Sequence, residues 1–452
     1  MNSAKIKSIT FALLASGIMT GCGSGGSKVD SAPVNSQAKL SSDNLNFIFV
    51  QSFEPNAQGN NLSITGFNHS LQFGQLLNQI TGGNISAVLS LDPWSQIING
   101  YPNMSPIQSI ENYAVLNGIG IYALLPTTIG NYYEPIFPSV AYYIEEIIGQ
   151  TSQIGVPSSG NFVIALPSQQ INQTLAQLSQ NPNLSFTYTP LESNNYHQYA
   201  VLSINNVAQA QSATYNDGII SSNQYPNLQL NTNSACQESS VTFTLQGAVP
   251  PKMNRNETVY LIRHVEAHPV YSFDNGNYVC QGQWRAIGAV NKLESVIGGL
   301  PNLVYSSDPG DPYSCTNGSS FLPAESCPTY VRPSLTINPF VIKNSMPLNL
   351  VAESNFNWNN YQAMAQYFFQ ESQFSNQTIL IAWEHDTVNS MLDYLIGTIY
   401  DQPESVALIP TWAGNDYDTI WKIQLNQNGQ LTFSNTCEGI SSATLPLSCP
   451  AF

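Results

Sequence analysis

The chain has 452 residues, of which 42% are hydrophobic and only 9% are charged. This length allows two or three domains of ordinary size, and the hydrophobic fraction is typical of packed cores rather than of a disordered chain. The formal net charge of −16 argues against a nucleic-acid binder, because affinity for a phosphate backbone requires clustered Lys and Arg side chains.

The amino terminus has the pattern of an export signal. Two lysines precede an apolar run over residues 9–19, which is too short to span a bilayer as a helix. Small residues and then Cys22 follow, which resembles a bacterial lipoprotein signal with Cys22 lipidated; an ordinary secretory signal is the alternative. We therefore predict a signal over residues 1–22, a flexible tether over residues 23–44, and lipid anchoring to a membrane of the bacterial cell envelope, on the periplasmic or surface side.

Six cysteines remain when Cys22 is set aside. An even number of cysteines in an exported protein predicts disulfides. The sequence does not determine their connectivity. We favour the two pairs that are close in sequence, Cys315–Cys327 and Cys437–Cys449. This choice leaves Cys236–Cys280 as the third pair. A zinc site made of cysteines is disfavoured, because no C-x-x-C pair occurs.

One strand pattern occurs twice in the chain. The apolar stretch 46–51 is followed by Ser52, and the similar stretch 258–263 is followed by His264. Two further pairs of apolar stretches follow in the same order, and they place Asp92 over Asp308 and Ser168 over His385. A chance match among short apolar runs is the alternative, since such runs look alike.

Helix-length stretches lie between these strands, for example residues 70–80, 287–297 and 358–372. Strands that alternate with helices indicate βαβ units and a mostly parallel sheet. We predict an α/β fold with two three-layer domains over residues 45–250 and 251–452, each with helices on both faces of its sheet. We also expect the two domains to pair with each other within the chain.

The two copies differ in their charged residues. All four arginines of the chain lie in the second half, and no Lys or Arg occurs between Leu40 and Pro251. The first copy has Gln51, Ser52 and Ser168 at the positions that match Arg263, His264 and His385. A dianionic phosphate needs cationic donors or a metal, so we expect the first copy to be a scaffold or a partner surface.

Residues 259–269 form the stretch from which a catalytic function is inferred. A buried strand delivers Arg263 and His264 at its carboxyl end, which is where ligands bind in open α/β sheets. The stretch resembles the first motif of the histidine phosphatase (phosphoglycerate mutase-like) superfamily, whose histidine becomes transiently phosphorylated. The glycine that follows this histidine in the family is Val265 here.

This resemblance covers most of residues 256–425, and it implies the rest of a phosphate site. Arg332 follows a strand and an Asp-Pro turn, as the second arginine of the family does, and His385 follows an apolar strand, as its second histidine does. With Arg263 they would bind a phosphorylated small molecule without a metal or cofactor. The resemblance implies phosphomonoester hydrolysis outside the cytosol through phospho-His264.

The general acid has several candidates. Glu353 lies about where one branch of the family keeps its glutamate, and we favour it. Asp386 resembles the aspartate of the His-Asp pair in the acid phosphatase branch, and Glu266 and Glu384 also lie near the motifs.

Two other functions compete with this interpretation. His264, Glu266 and His268 alternate along an extended chain, so they could bind zinc together, with His385 as a fourth ligand. The neighbouring arginines would repel such a cation. The other competitor is an inactive, lipid-anchored binding protein. A glycine after the histidine lets the backbone approach the phosphate closely, whereas the β-branched Val265 would narrow the pocket.

Overall fold

The computed structural model describes residues 37–126, 139–153, 159–267, 275–313, 322 and 326–452. The predicted signal with its lipidated Cys22, and residues 23–36 of the predicted tether, lie outside these ranges. Within them, no helix combines the length and the apolar character needed to cross a membrane.

In the described residues, eight strands lie in the first half of the chain. They are β1 (Leu45–Gln51), β2 (Ala87–Leu91), β3 (Ile97–Ile98), β4 (Tyr101–Pro102), β5 (Tyr122–Leu125), β6 (Gly160–Leu166), β7 (Gln198–Ile204) and β8 (Ala210–Asn216). Six of them form a sheet in the order β5-β2-β6-β1-β7-β8, and β3 pairs only with β4. The strands β5, β2, β6 and β1 run parallel, whereas β7 and β8 are antiparallel to their neighbours. Every residue of β1 is buried, as expected for a central strand covered on both faces.

The helices of the first half cover both faces of this sheet. They are α1 (Ile64–Thr81), α2 (Ser105–Leu116), α3 (Val140–Gln153) and α4 (Ser168–Ser179). The apolar sides of α1 and α2 join one core cluster, and those of α3 and α4 join another. Helix α1 begins at Ser63, whose hydroxyl accepts a hydrogen bond from the Gly66 amide, and ends at Gly82 in the left-handed conformation.

The second sheet has seven strands. They are β9 (Thr242–Thr244), β10 (Glu257–Arg263), β11 (Leu303–Ser307), β12 (Asn349–Val351), β13 (Thr378–Trp383), β14 (Thr419–Leu425) and β15 (Leu431–Cys437). Their order is β12-β11-β13-β10-β14-β15-β9, and the first four run parallel. Strands β14, β15 and β9 continue the sheet in antiparallel pairs.

In the described residues, six α-helices accompany the second sheet. They are α5 (Cys280–Gly288), α6 (Val290–Ile297), α7 (Arg332–Lys343), α8 (Tyr361–Gln370), α9 (His385–Tyr394) and α10 (Pro403–Val406), with a π-helical turn at Leu395–Ile399 and 3-10 turns at Ser372–Phe374 and Ser442–Thr444. A further 3-10 turn, Pro93–Ser95, follows β2 in the first half. Helices α5 to α7 pack on one face of the sheet, and α8 and α9 pack on the other. The predicted α/β class, with mostly parallel sheets and helices on both faces, is confirmed.

The two sheets resemble each other in strand order, strand direction and register. Apart from the additional strand β9, both have the same sequence of parallel and antiparallel neighbours. The registers also correspond, because Gln51 pairs with Leu166 at the end of β1 as Arg263 pairs with Trp383 at the end of β10. The first sheet and the second sheet without β9 therefore have the same strand order, with their central strands paired in corresponding register.

The two halves share a hydrophobic core cluster. Side chains of α1 and α2, such as Phe67 and Ile107, belong to the same buried cluster as Val265 and Phe340 of the second half. Strand β9 precedes residue 251 but pairs with β15, so the second sheet begins before the boundary that the sequence suggested.

The disulfides connect positions that are distant in sequence. Cys236 is bonded to Cys437 and Cys280 to Cys449, so the predicted pairs Cys437–Cys449 and Cys236–Cys280 are wrong. Closeness in sequence misled the prediction, because the segment after β15 returns to the start of α5. Cys327 is also disulfide-bonded, and its predicted partner Cys315 lies outside the described residues. These bonds indicate an oxidising, extracytosolic environment.

Candidate active site

A cavity of about 790 Å³ opens at the carboxyl end of β10. It brings together the four basic residues that the sequence predicted, although they lie far apart in the chain. Arg263 ends β10 and His264 follows it, Arg332 is the first residue of α7, and His385 is the first residue of α9. The side chains around them are mostly aromatic or polar, and include Tyr313, Tyr330, Trp358, Tyr361, Glu384, Asp386, Trp412 and Tyr417.

His264 is held in one tautomer. Its Nδ1 lies 2.8 Å from the carbonyl oxygen of Val265, and since a carbonyl can only accept, Nδ1 carries the proton. Burial, and then the charges of Arg332 and Arg263, hold the pKa of His264 well below its ordinary value. The other nitrogen, Nε2, therefore keeps a free lone pair, as a nucleophile requires.

Arg263 is fixed by backbone oxygens. Its Nη1 donates to the carbonyls of Ala413, Gly414 and Asp416 at 3.3, 2.8 and 3.2 Å. The guanidinium carbon also lies 4.2 Å from the centroid of the Tyr417 ring, a cation–π contact. This guanidinium is thus oriented before any ligand arrives.

Arg332 lies among aromatic rings. Its guanidinium carbon is 4.9 Å from the ring centroid of Tyr313 and 5.3 Å from that of Tyr330. Tyr330 is 1% exposed, and within the described part of the chain its hydroxyl has no hydrogen-bond partner. Burial raises the pKa of Tyr330, so the hydroxyl remains a donor available to a ligand. Tyr330 was not predicted from the sequence, although it lies two positions before Arg332.

Glu384 acts as the amino-terminal cap of α9. Its carboxylate accepts from the amides of Asp386 and Thr387 at 3.0 and 2.7 Å, and lies 2.6 Å from Nδ1 of His385. Burial raises its pKa, but His385 and the two amides outweigh burial and lower the pKa of Glu384 to about 2. Glu384 is therefore an anion that orients His385, and it has no proton to donate.

Glu353 does not line this cavity. It lies in a second pocket, of about 440 Å³, with Asp92, Asp308 and Asp311. Asp386 does line the cavity; its side chain is 80% exposed, and its Oδ1 lies 3.5 Å from Nε2 of His385. Of the two carboxyl groups, only Asp386 is placed near the predicted phosphate site.

Glu266 forms an ion pair with Arg285, so it is not available as the general acid or as a zinc ligand. Its oxygens accept from Nε and Nη2 of Arg285 at 2.8 to 3.1 Å, and from the Ser442 hydroxyl at 2.7 Å. It therefore serves neither as the acid nor as a zinc ligand beside His264. The third ligand of that zinc hypothesis, His268, lies outside the described residues.

Val265 points away from the cavity. Its side chain is 3% exposed and packs against α5, where its Cγ2 would lie only 2.8 Å from a Cβ on Gly282. Its amide donates to the Thr336 hydroxyl at 3.0 Å. The cavity is thus not narrowed by this departure from the family pattern.

The corresponding positions of the first half carry no charge. Ser105 begins α2 as Arg332 begins α7, and each is followed by a proline. The neutral residues at the four positions are Gln51, Ser52, Ser105 and Ser168. Such a set cannot balance the charge of a phosphate dianion.

No protein-family profile and no curated protein matches this sequence. Solved structures give only weak similarities. They include the phosphoglycerate mutase of Plasmodium falciparum (14% identity, 44% of this chain and 99% of that one, TM-score 0.26) and a protein described as the phosphohistidine phosphatase SixA of Agrobacterium tumefaciens (15% identity, 37% and 91%, TM-score 0.22). Another is described as the α-ribazole-5′-phosphate phosphatase of Escherichia coli (12% identity, 44% and 100%, TM-score 0.22). We therefore infer a function from the geometry of the cavity.

Proposed function

We propose that the protein hydrolyses phosphomonoesters through a phosphohistidine intermediate on His264. One observation carries this proposal: Nε2 of His264 is unprotonated and faces a cavity that also holds Arg263 and Arg332. Two guanidinium groups offset the charge of a phosphoryl group, and they also keep the nucleophile neutral.

Two displacements account for the reaction. Nε2 of His264 attacks phosphorus, the bond between phosphorus and the ester oxygen breaks, and the departing oxygen takes a proton from a carboxylic acid. The resulting carboxylate then removes a proton from water, whose oxygen attacks phosphorus and releases His264. Arg263, Arg332, His385 and the Tyr330 hydroxyl would donate to the phosphoryl oxygens.

We assign the proton donor to Asp386 rather than to Glu353. Asp386 lies in the cavity and next to His385, whereas Glu353 lies in another pocket. Glu384 is excluded as the donor by its low pKa, and Glu266 by its ion pair with Arg285.

The aromatic lining of the cavity suggests the type of leaving group. Tyr313, Trp358, Tyr361 and Trp412 line the cavity, and Tyr361 is exposed to solvent. Flat aromatic surfaces favour ligands with an apolar or aromatic part. We propose a small phosphorylated substrate of this kind.

The repeated topology supports a duplication in which the second half kept the catalytic residues and the first became a scaffold paired with it. We also propose that Cys22 is lipidated and holds the protein at a membrane of the cell envelope. The disulfides support export, and the pattern around Cys22 supports anchoring.

The first test is hydrolysis of p-nitrophenyl phosphate by the full chain, with and without EDTA, beside His264→Ala and the exposed control Arg255→Gln. We expect turnover that EDTA does not affect and that only His264→Ala abolishes. Alkaline quenching during turnover should preserve a phosphoryl group on the peptide that contains His264. Loss of activity with EDTA would favour a metal hydrolase, and no turnover at any pH would favour a binding protein.

A further inference from the structure

A second cluster of ionisable side chains lies in the first half, outside the proposed phosphatase site. His69, on α1, is fully buried, and its Nδ1 lies 3.0 Å from Oε2 of Glu54. On the other side of the ring, Nε2 lies 2.9 Å from Oδ2 of Asp217. Nδ1 of His197 lies 3.3 Å from Oδ1 of the same aspartate. The cluster thus holds two of the five histidines of the chain.

The second half has an ion network at the same place in its fold. Arg285, on α5, donates to Glu266 at 2.8 Å through Nη2, and to Glu438 and Asp418 at 2.8 and 3.3 Å through Nη1. This network is fully buried, and the guanidinium supplies the cation that its carboxylates need.

The two clusters correspond residue by residue. Glu54 and Glu266 each follow a central strand, at the third position after β1 and β10. The other pairs are His69 with Arg285, His197 with Asp418 before β7 and β14, and Asp217 with Glu438 after β8 and β15. The first half therefore has an imidazole in place of the guanidinium and a second imidazole in place of a carboxylate.

Because two histidines replace an arginine and a carboxylate, the cluster of the first half can bind a different cation. No Lys or Arg occurs between Leu40 and Pro251, so the first half supplies no permanent cation to Glu54 and Asp217. Two imidazoles and a carboxylate are, however, ligands for a transition metal. One candidate ligand atom from each of His69, His197 and Asp217 lies within 4.8 Å of the others.

The surroundings of His69 match those of a metal ligand. A histidine that binds a metal through one nitrogen usually donates its other N–H to a carboxylate, and Glu54 is placed to accept from Nδ1. Bonds of about 2.0–2.2 Å to tetrahedral zinc separate the ligand atoms by about 3.3–3.6 Å. Nε2 of His69 and Nδ1 of His197 lie 2.9 and 3.3 Å from different oxygens of Asp217, and one ligand atom from each residue lies within 4.8 Å of the others, so small side-chain movements would reach this spacing.

We propose that His69, His197 and Asp217 bind one divalent transition-metal ion, with zinc as the preferred ion, and that Glu54 orients His69. The bound cation would take the place that the Arg285 guanidinium has in the second half. The side chain of His197 is 39% exposed, so ions can enter and a fourth position is open to water. Mg²⁺ and Ca²⁺ are disfavoured, because they prefer oxygen ligands.

The test is calorimetric titration of the chelator-treated full chain with Zn²⁺, with Mg²⁺ as a comparison. We expect one Zn²⁺ per chain, no detectable Mg²⁺ binding, and at least tenfold weaker Zn²⁺ binding in His197→Gln. His69→Gln should abolish binding. Because His197 is partly exposed, its variant should keep the native circular dichroism spectrum even if His69→Gln unfolds. Co²⁺ should give visible bands typical of a tetrahedral site.

The variant His385→Gln tests which of two clusters binds Zn²⁺. The neighbouring residues Glu384, His385 and Asp386 form a rival set of potential ligands. Binding that is lost in His385→Gln but kept in His197→Gln would overturn the proposal, as would the absence of Zn²⁺ binding to the wild-type chain. This result is independent of hydrolysis, since we expect the phosphatase reaction to need no metal.

Discussion

Nδ1 of His264 lies 2.8 Å from the carbonyl oxygen of Val265, so the backbone of the next residue fixes the tautomer of the ring. The side chain of Val265 packs in the opposite direction, against α5. The residue that departs from the family pattern thus contributes its backbone to the site and its side chain to the core.

The nucleophile should remain active in mild acid. The pKa of His264 is lowered by burial, then by Arg332 and Arg263, and protonation would block attack, so the acid limb of kcat/KM should lie below pH 6.5. Arg332→Gln removes one of these charges and should move the limb to higher pH while slowing the reaction. The exposed Arg255→Gln should leave the limb in place. An unmoved limb in Arg332→Gln would mean that its charge does not act on His264.

Two carboxyl variants should differ in their dependence on the leaving group. Asp386→Asn should slow hydrolysis of an alkyl phosphate by about 10²–10⁴, because an alkoxide leaves poorly without a proton. The same variant should lower kcat/KM for p-nitrophenyl phosphate much less, since nitrophenolate needs no acid and kcat/KM does not include the later attack of water for which Asp386 is the base. Glu353→Gln should have little effect on either substrate. The reverse pattern, with Glu353→Gln the slow variant on alkyl phosphates, would return the role of acid to Glu353.

Restoring the family glycine should not improve the enzyme. Val265→Gly should reduce the free energy of unfolding by about 2–3 kcal/mol, because a buried side chain is lost and the backbone gains freedom in the unfolded state. KM should stay within about twofold, because Val265 does not line the cavity. Chemical denaturation measures the first effect, and Val207→Gly, at an exposed turn, is its control. A large fall in KM would show that Val265 does obstruct the site.

Glu257 should make the protein less stable as the pH rises. It is 1% exposed, and burial, opposed by a hydrogen bond from Asn254, raises the pKa of Glu257 to about 9. At neutral pH the group is protonated when folded and ionised when unfolded, so stability falls from about pH 4.5 up to pH 9. Glu257→Gln should therefore add about 1–3 kcal/mol at pH 7 and almost nothing at pH 4. Denaturation at both pH values, beside the exposed Glu371→Gln, tests this, and equal effects at both would contradict it.

Strand ends allowed much of the cavity to be predicted from sequence. Arg263 ends β10, His264 follows β10, and His385 follows the adjacent parallel strand β13. The carboxyl ends of neighbouring parallel strands meet at one edge of the sheet. Glu353 follows β12, which is separated from β10 by two other strands. With strands about 4.8 Å apart, its starting point lies about 14 Å from that of His264. The order of strands across the sheet, which the sequence does not state, thus decided which carboxylate reaches the site.

Other features depend on contacts between distant parts of the chain. Tyr330 became a candidate only because its buried hydroxyl has no partner in the described structure, and the residue type alone gave no signal. The disulfides were mispredicted for a similar reason, since Cys236 and Cys437 are 201 residues apart. The ion network of Arg285 was also invisible in sequence, because its carboxylates come from three separate segments.

The path of the chain around β9 has a practical consequence for limited proteolysis. The exposed Lys252 lies between Cys236 and Cys437, so a tryptic cut there leaves the two fragments joined by that disulfide. The shared core would hold them together as well. A nicked protein should therefore migrate as one species without reductant and separate only on reduction in denaturant. A recombinant fragment that starts at residue 251 would lack β9 and expose the edge of β15. Because unpaired edge strands promote aggregation, we expect this fragment to aggregate more readily than the full chain.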